Sequence, residues 1–247
     1  MRILLTNDDG IDAPGLAALA AAAARLGREC VVVAPADPHS GCGHRVTTDR
    51  PLRVHERGRG RFAVEGTPAD CVRIALAELV RDAAIVVSGI NAGGNLGADI
   101  HHSGTVAAAR EAALHGRLAV AASHYHRRGT MIDWERAARW LEEVLRRLPE
   151  ATQPGEFWNV NLPDLPADAA MPMVVECPTD ASPFALGYAV TQVGGDLIKG
   201  SGEVNAIQGL AAKTPGIQVV GTGGTPGAST KLLIRGNKTF TDRKSVV

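Results

Sequence analysis

A chain of 247 residues, 45% hydrophobic and 21% charged, can bury a full core as one large domain or two small ones. Its 26 basic and 26 acidic residues cancel, so the overall charge gives no pointer to nucleic acid or an anionic membrane. No apolar run reaches the length of a membrane span, and the opening MRILLTNDDG lacks the zones of a signal peptide.

The first element predicted is a buried strand over residues 2–6, which stops on Asn7, Asp8, Asp9 and Gly10. Pro14 then opens an Ala/Leu-rich helix that Gly27 ends. Residues 30–34 (CVVVA) read as a second buried strand and 35–43 as a loop. Residues 45–54 and 61–64 suggest a hairpin around the Arg/Gly turn at 57–61. Thr67 is a suitable N-cap for a helix reaching Arg81. Residues 84–88 (AIVVS) form a third buried strand, followed by a Gly/Asn-rich loop over 90–103. A helix over 105–115, a fourth strand over 118–122, an amphipathic helix over 132–148 and a strand over 157–161 complete the pattern. In the amphipathic helix, Trp134, Leu141, Val144, Leu145 and Leu148 are available for burial.

Strands alternating with helices predict an α/β fold: a three-layer α/β/α sandwich around a mostly parallel sheet. Ligands in such sheets gather beyond the carboxyl ends of the strands. Asp8 and Asp9 follow the first strand, Ser40 lies after the second, and Asn91 and Asn95 follow the third. The three loops are therefore expected to converge on one rim. Two adjacent carboxylates repel each other and call for a cation. Asp, Asp, Ser and Asn offer hard oxygen donors suited to Mg²⁺, Mn²⁺ or Ca²⁺. Ser103, Gly104 and Thr105 open a helix, where hydroxyls and free N–H groups suit a phosphate. A metal beside a phosphate pocket implies phosphoryl chemistry, with water activated for attack.

Competing readings separate on spacing. GINAGGNLG is not a GxGxxG motif after the first strand. A haloacid-dehalogenase-like phosphatase needs acids two residues apart, whereas Asp8 and Asp9 are adjacent. A response-regulator receiver needs a Lys after a later strand, and residues 1–198 contain none. His39, His44, His101 and His102 are loop histidines that can touch substrate or simply face solvent, and Cys42 reads as structural. The four cysteines, Cys30, Cys42, Cys71 and Cys177, form no CxxC pair, in keeping with a reducing cytoplasm.

The segments ILLTNDDGIDAPGL (3–16), VVVAPADPHSGCGH (31–44), VEGTPADCV (64–72), VVSGINAGGNLGADIHHSGTVAAAREAAL (86–114) and NVNLPDLP (159–166) together resemble the SurE family, the survival-protein nucleotidases. The resemblance implies a Rossmann-like core and metal-dependent hydrolysis of nucleoside 5′- and 3′-monophosphates. It implies one divalent metal per subunit, Mg²⁺ or Mn²⁺, held by Asp8, Asp9, Ser40 and Asn91. Asp8 or Asp9 would then accept the proton of the attacking water. Asn95, Ser103, Gly104 and Thr105 correspond to the phosphate end. Family members are usually cytoplasmic dimers or tetramers. The family loop commonly reads NLGDD with a Tyr before SGT; here Ala98 replaces an acid and His102 replaces the Tyr, while Asp99 is kept. These departures bear on substrate preference and leave the metal quartet intact. The alternative is a nucleotide- or phosphate-binding module without turnover, or a non-functional chimeric product.

Composition shifts near residue 199. Residues 1–198 hold 19 Arg, no Lys and 24 acids, whereas residues 199–247 hold five Lys, two Arg and two acids. Residues 199–241 resemble the plug of a TonB-dependent outer-membrane receptor, and DRKSVV (242–247) resembles a translated sequencing adapter. The expectation is a nucleotidase-like domain over 1–198, lacking the family's C-terminal subunit-joining arm, followed by a foreign or disordered tail over 199–247.

Overall fold

A computed structural model of the chain describes residues 2–127, 129–148, 155–177, 217–221 and 230–234. They fall in two compact units, Met1–Ser182 and Pro183–Val247.

The first unit is built on a seven-stranded sheet. Its strands are β1 (Arg2–Thr6), β2 (Cys30–Pro35), β3 (Val54–Gly58), β4 (Arg61–Val64), β5 (Ala83–Ala92), β6 (Leu118–His124) and β7 (Trp158–Leu162). Their order is β3-β4-β2-β1-β5-β6-β7, and every pairing is parallel except β3 with β4. The helices are α1 (Pro14–Arg25), α2 (Pro68–Ile74), α3 (Asp99–His102), α4 (Gly104–Leu114) and α5 (Trp134–Arg147). On one side of the sheet, Leu16, Leu19 and Ala22 of α1 join Ala137, Ala138 and Leu141 of α5 in one apolar layer. On the other, Cys71 and Val72 of α2 join Val106, Ala109 and Ala112 of α4. Parallel strands covered on both faces must be apolar throughout, and Leu4, Leu5, Val86, Val87, Ala119 and Val120 are all fully buried. The three-layer α/β/α expectation is met.

Local chemistry explains the element ends. Pro14 opens α1 without a side-chain cap, and Gly27 turns the chain out at φ 68°. Thr67 caps α2 by accepting from the Asp70 N–H, while Asp70 accepts from the Thr67 N–H. The predicted long helix to Arg81 instead closes as a π-helical turn over Ala75–Leu79. The predicted hairpin is present, but its first arm begins at Val54 and not at residue 45. Thr47 donates its N–H and hydroxyl to the Asp70 carboxylate at 2.9 and 2.7 Å, and Pro51 has no N–H, so this stretch cannot join the ladder.

Two further differences concern packing. α5 buries Ala137, Ala138, Trp140, Leu141 and Val144, while Trp134, Leu145 and Leu148 pack at the edge. Small and large residues share this buried face: Ala137 and Ala138 are buried together with Trp140 and Leu141, and Trp134 lies against Gly15 of α1. β5 also continues four residues past Ser88, so Asn91 sits on the sheet itself. Gly89 permits this: its φ is 138°, and a Cβ there would lie 2.2 Å from the Ala122 carbonyl oxygen of β6.

In the second unit, β8 (Ile217–Gly221) pairs antiparallel with β9 (Thr230–Ile234), Ile217 opposite Ile234 and Gly221 opposite Thr230. Apart from these two strands, the foreign or disordered tail expected over 199–247 lies outside the described residues.

Candidate functional site

The carboxyl ends of β1, β2 and β5 face a cleft of about 300 Å³. Asp8, Asp9, Ser40, Asn91, Asn95 and Ser103 all line it, joined by Asp99 and His102. Three loops distant in sequence thus meet on one rim, as the strand order requires. Backbone bonds sew them together. The His39 N–H donates to the Asp8 carbonyl at 2.7 Å, which ties the Ser40 loop to the end of β1. The Gly43 N–H donates to the His102 carbonyl at 3.0 Å, which ties the same loop to α3. Asn7 shapes the turn by donating its side-chain amide to the Gly10 carbonyl at 2.9 Å.

Asp8 is only 5% exposed. Burial pushes its carboxyl up to about 6, and the neighbouring Asp9 charge adds to this; a hydrogen bond from the Thr105 hydroxyl, with its backbone N–H, opposes the rise. Burial likewise raises Asp9, against a hydrogen bond from the Ala92 N–H. Thr105 and Gly104 therefore stand behind Asp8 and not on the cleft wall. A Cβ at Gly104 would lie 2.8 Å from the Asp8 Cβ and 3.0 Å from the Cys42 sulfur, so only glycine admits the start of α4 this close. Ser103 caps α4, its hydroxyl accepting from the Val106 N–H at 3.1 Å. The donors at this helix start thus first hold a carboxylate and close a helix.

The donor set suits a hard cation. Among the described residues neither Asp8 nor Asp9 has an ion-pair partner, so two desolvated carboxylates carry uncompensated charge. The Asn91 side-chain amide donates its N–H to the Gly93 carbonyl at 2.8 Å, leaving its oxygen as the polar atom available for a ligand. Among the described residues no three His, Cys, Asp or Glu side chains form a metal cluster. A cation held here would depend on the Ser40 hydroxyl and the Asn91 amide oxygen beside the two carboxylates.

The other sequence candidates separate. His102 lines the cleft, whereas His44 is turned to Glu111, 2.6 Å from its carboxylate. His39 contributes its backbone to the Asp8 carbonyl. Burial raises the Cys42 thiol, and the Asp8 charge raises it further, in keeping with a structural role. Sequence reasoning missed what holds Asn95. The Asn95 N–H donates to the Asn161 side-chain oxygen at 2.8 Å, and its carbonyl accepts from the side-chain amides of Asn159 at 2.8 Å and Asn161 at 3.1 Å. Its own amide donates to the Ser123 hydroxyl at 2.8 Å. The available signal was the pair of Asn residues two apart in the strand WNVNL, which one face of a strand presents together.

Relatives are found over most of the chain. A Nostoc sp. protein is 49% identical over 220 residues, 89% of this chain and 93% of its own length. The protein named 5′-nucleotidase SurE 1 of Burkholderia lata is 48% identical over 169 residues, 67% of this chain and 65% of its own length. The crystal structure of the SurE protein from Aquifex aeolicus superposes with a TM-score of 0.61 at 36% identity, covering 67% of each chain. The family model described as Survival protein SurE matches residues 3–181, which takes in every residue of the cleft, and the chain belongs to the SurE family.

Proposed function

We propose that this chain is a divalent-metal-dependent phosphomonoesterase that hydrolyses nucleoside 5′-monophosphates, and 3′-monophosphates as a second class, to nucleoside and phosphate. The observation that carries the reading is the pair of desolvated carboxylates, Asp8 and Asp9, sharing one cleft with Ser40 and Asn91. Membership of the SurE family and relatives named 5′-nucleotidase SurE support the substrate class.

Asp8, Asp9, Ser40 and Asn91 would hold one Mg²⁺ or Mn²⁺ per subunit. When bound, such an ion supplies positive charge against the phosphate oxygens and lowers the pKa of water. Thr105 fixes the Asp8 carboxylate, so its role is orientation. Asp9, with the Ala92 N–H as its hydrogen-bond donor, is the freer carboxylate and accepts the proton of the attacking water. Asn95 and Ser103, which line the same cleft, receive the phosphate oxygens. The Gly104 and Thr105 backbone at the start of α4 adds the positive end of the helix dipole behind them. His102 and Asp99 also line the cleft and are the side chains offered to the nucleoside.

The test is phosphate release from AMP and GMP by the full chain, with Mn²⁺ or Mg²⁺ and with a chelator. Release that depends on the metal is expected. Nucleotide binding without release would instead mark a binding module, and no binding at all would overturn the reading.

No helix among the described residues is long and apolar enough to cross a membrane. We also propose a cytoplasmic location, which the four free cysteines favour, and a dimer or tetramer, which light scattering on the full chain reads directly. The catalytic unit is proposed to lie within residues 1–198 and the remainder to come from a second source. The Nostoc match weighs against this, because a span of 89% of the chain runs past residue 199 wherever it starts. Sequencing the source DNA across codons 190–205 decides it; one continuous read through the junction removes the chimera.

A further inference from the structure

Asn95 lies in a stretch with little conformation of its own. Gly93 and Gly97 sit at φ 142° and 55°, and glycine imposes no preferred path. Yet Asn95 is buried and bonded at every polar backbone atom. Its N–H, its carbonyl and its side-chain amide are met by Asn161, Asn159 and Ser123, all from β6 and β7 and none from its own loop. Ser123 and Asn161 are register partners across these two strands, so the contacts come from one rigid surface. A strand beside a packed core has no need of two amides, since valines would satisfy it at lower desolvation cost. The cost is visible: the Asn159 side-chain oxygen is buried without a hydrogen-bond partner.

We infer that Asn161, assisted by Asn159 and Ser123, is a positioning residue that holds Asn95 for a phosphate group. Asn161 acts as a template for an absent strand, accepting from the Asn95 N–H and donating to its carbonyl. Ser123 takes one of the two N–H groups of the Asn95 amide, which leaves the second for a phosphate oxygen. The inference rests on the reading that Asn95 stands at the phosphate end of the cleft, and it sets the division of labour there. Asp8, Asp9, Ser40 and Asn91 handle the cation, and β7 handles the anion through Asn95.

The test uses the full chain, with inorganic phosphate as probe. Phosphate binding in the presence of Mn²⁺, and Mn²⁺ binding alone, are measured by calorimetry for wild type, Asn161→Ala, Asn95→Ala and the double variant. Asn161→Ala is expected to weaken phosphate about tenfold, to raise KM for AMP by a similar factor and to leave Mn²⁺ binding within about twofold. Asn161→Ala added to Asn95→Ala is expected to cost less than about twofold more, because it acts through that side chain. Should Asn161→Ala fail to fold, Asn159→Ala removes a single contact and is expected to weaken phosphate about threefold. Parallel loss of Mn²⁺ and phosphate binding, multiplicative effects in the double variant, or unchanged phosphate affinity would each overturn the inference. Wild type that binds phosphate but releases none from nucleotides would sink the proposed activity and leave this inference standing. Wild type that binds no phosphate with Mn²⁺ present would sink the inference itself.

Discussion

The two ends of the cleft bury polar groups by opposite means. At the Asp8 end a charge is taken out of water and left short of compensation: Thr105 opposes the rise, and burial still lifts the carboxyl to about 6. At the Asn95 end every group is neutral, and each hydrogen bond is supplied from β6 and β7. One end is incomplete without a cation. At the other, Asn95 is held without any ion, only the Asn159 side-chain oxygen is left unpaired, and a ligand that accepts a hydrogen bond is what remains to be added. The Asp8 end should therefore respond to pH and metal, and the Asn95 end should not.

The strongest way to break this contrast is Asp8→Asn. It is expected to abolish metal-dependent release of phosphate from AMP, because the cation loses half of its carboxylate charge. The same change is expected to stabilise the metal-free protein at pH 7, by at most about 3 kcal/mol. The sign follows from a folded pKa of about 6 against an ordinary 3.8. The stability contributed by Asp8 is fully present below the lower value and is lost as pH rises through the higher one. The gap between wild type and Asp8→Asn in chelator should therefore close as pH falls from about 7 to 4. Denaturant melts across that range check it; a variant no more stable than wild type at pH 7 would mean that the charge is already compensated.

Gly104→Ala comes next. Its methyl group would press on both Asp8 and Cys42, and a displacement near 1 Å at the reacting centre costs about a hundredfold in kcat. Near-normal turnover would show that the start of α4 can retreat. Thr105→Val removes a donor to Asp8 and lets its pKa rise further. The Mn²⁺ concentration for half-maximal activity should increase about tenfold at pH 6.5 and recover by about pH 8. An equal increase at both pH values would assign Thr105 to shape alone. Ser103→Ala is the smallest change. Loss of the cap should cost about 1 kcal/mol of stability, read as a lower Tm. If KM for AMP rises as well, the Ser103 hydroxyl serves the phosphate in addition to the helix.

Much of this architecture was legible in the chain. Buried parallel strands are short apolar runs, and RILLT and CVVVA announce them without help from context. Pro14, Thr67 and Gly27 act within a turn of their own position, so their roles at helix ends are local. The strand-end rule then brought Asp8, Ser40 and Asn91 to one rim, as found. The first arm of the hairpin was misplaced because its hydrogen-bonding groups are spent on Asp70, a partner 23 residues away from Thr47.

What the sequence determined by itself is the sheet, its helices, and the set of oxygen donors at three strand ends, since each follows from local period and chain order. Tertiary structure alone decided how those donors are used. The start of α4 was expected to wait for phosphate, but folding brings Asp8 against it and commits the Thr105 hydroxyl and N–H to that carboxylate. The pair Asn159 and Asn161 fell in a strand and in a segment resembling the family, with no role given to either amide, and only the pairing of β7 with β6 sets them against Asn95. Both outcomes depend on contacts between residues more than 60 apart, where desolvation and hydrogen-bond geometry, and not local preference, set the energy.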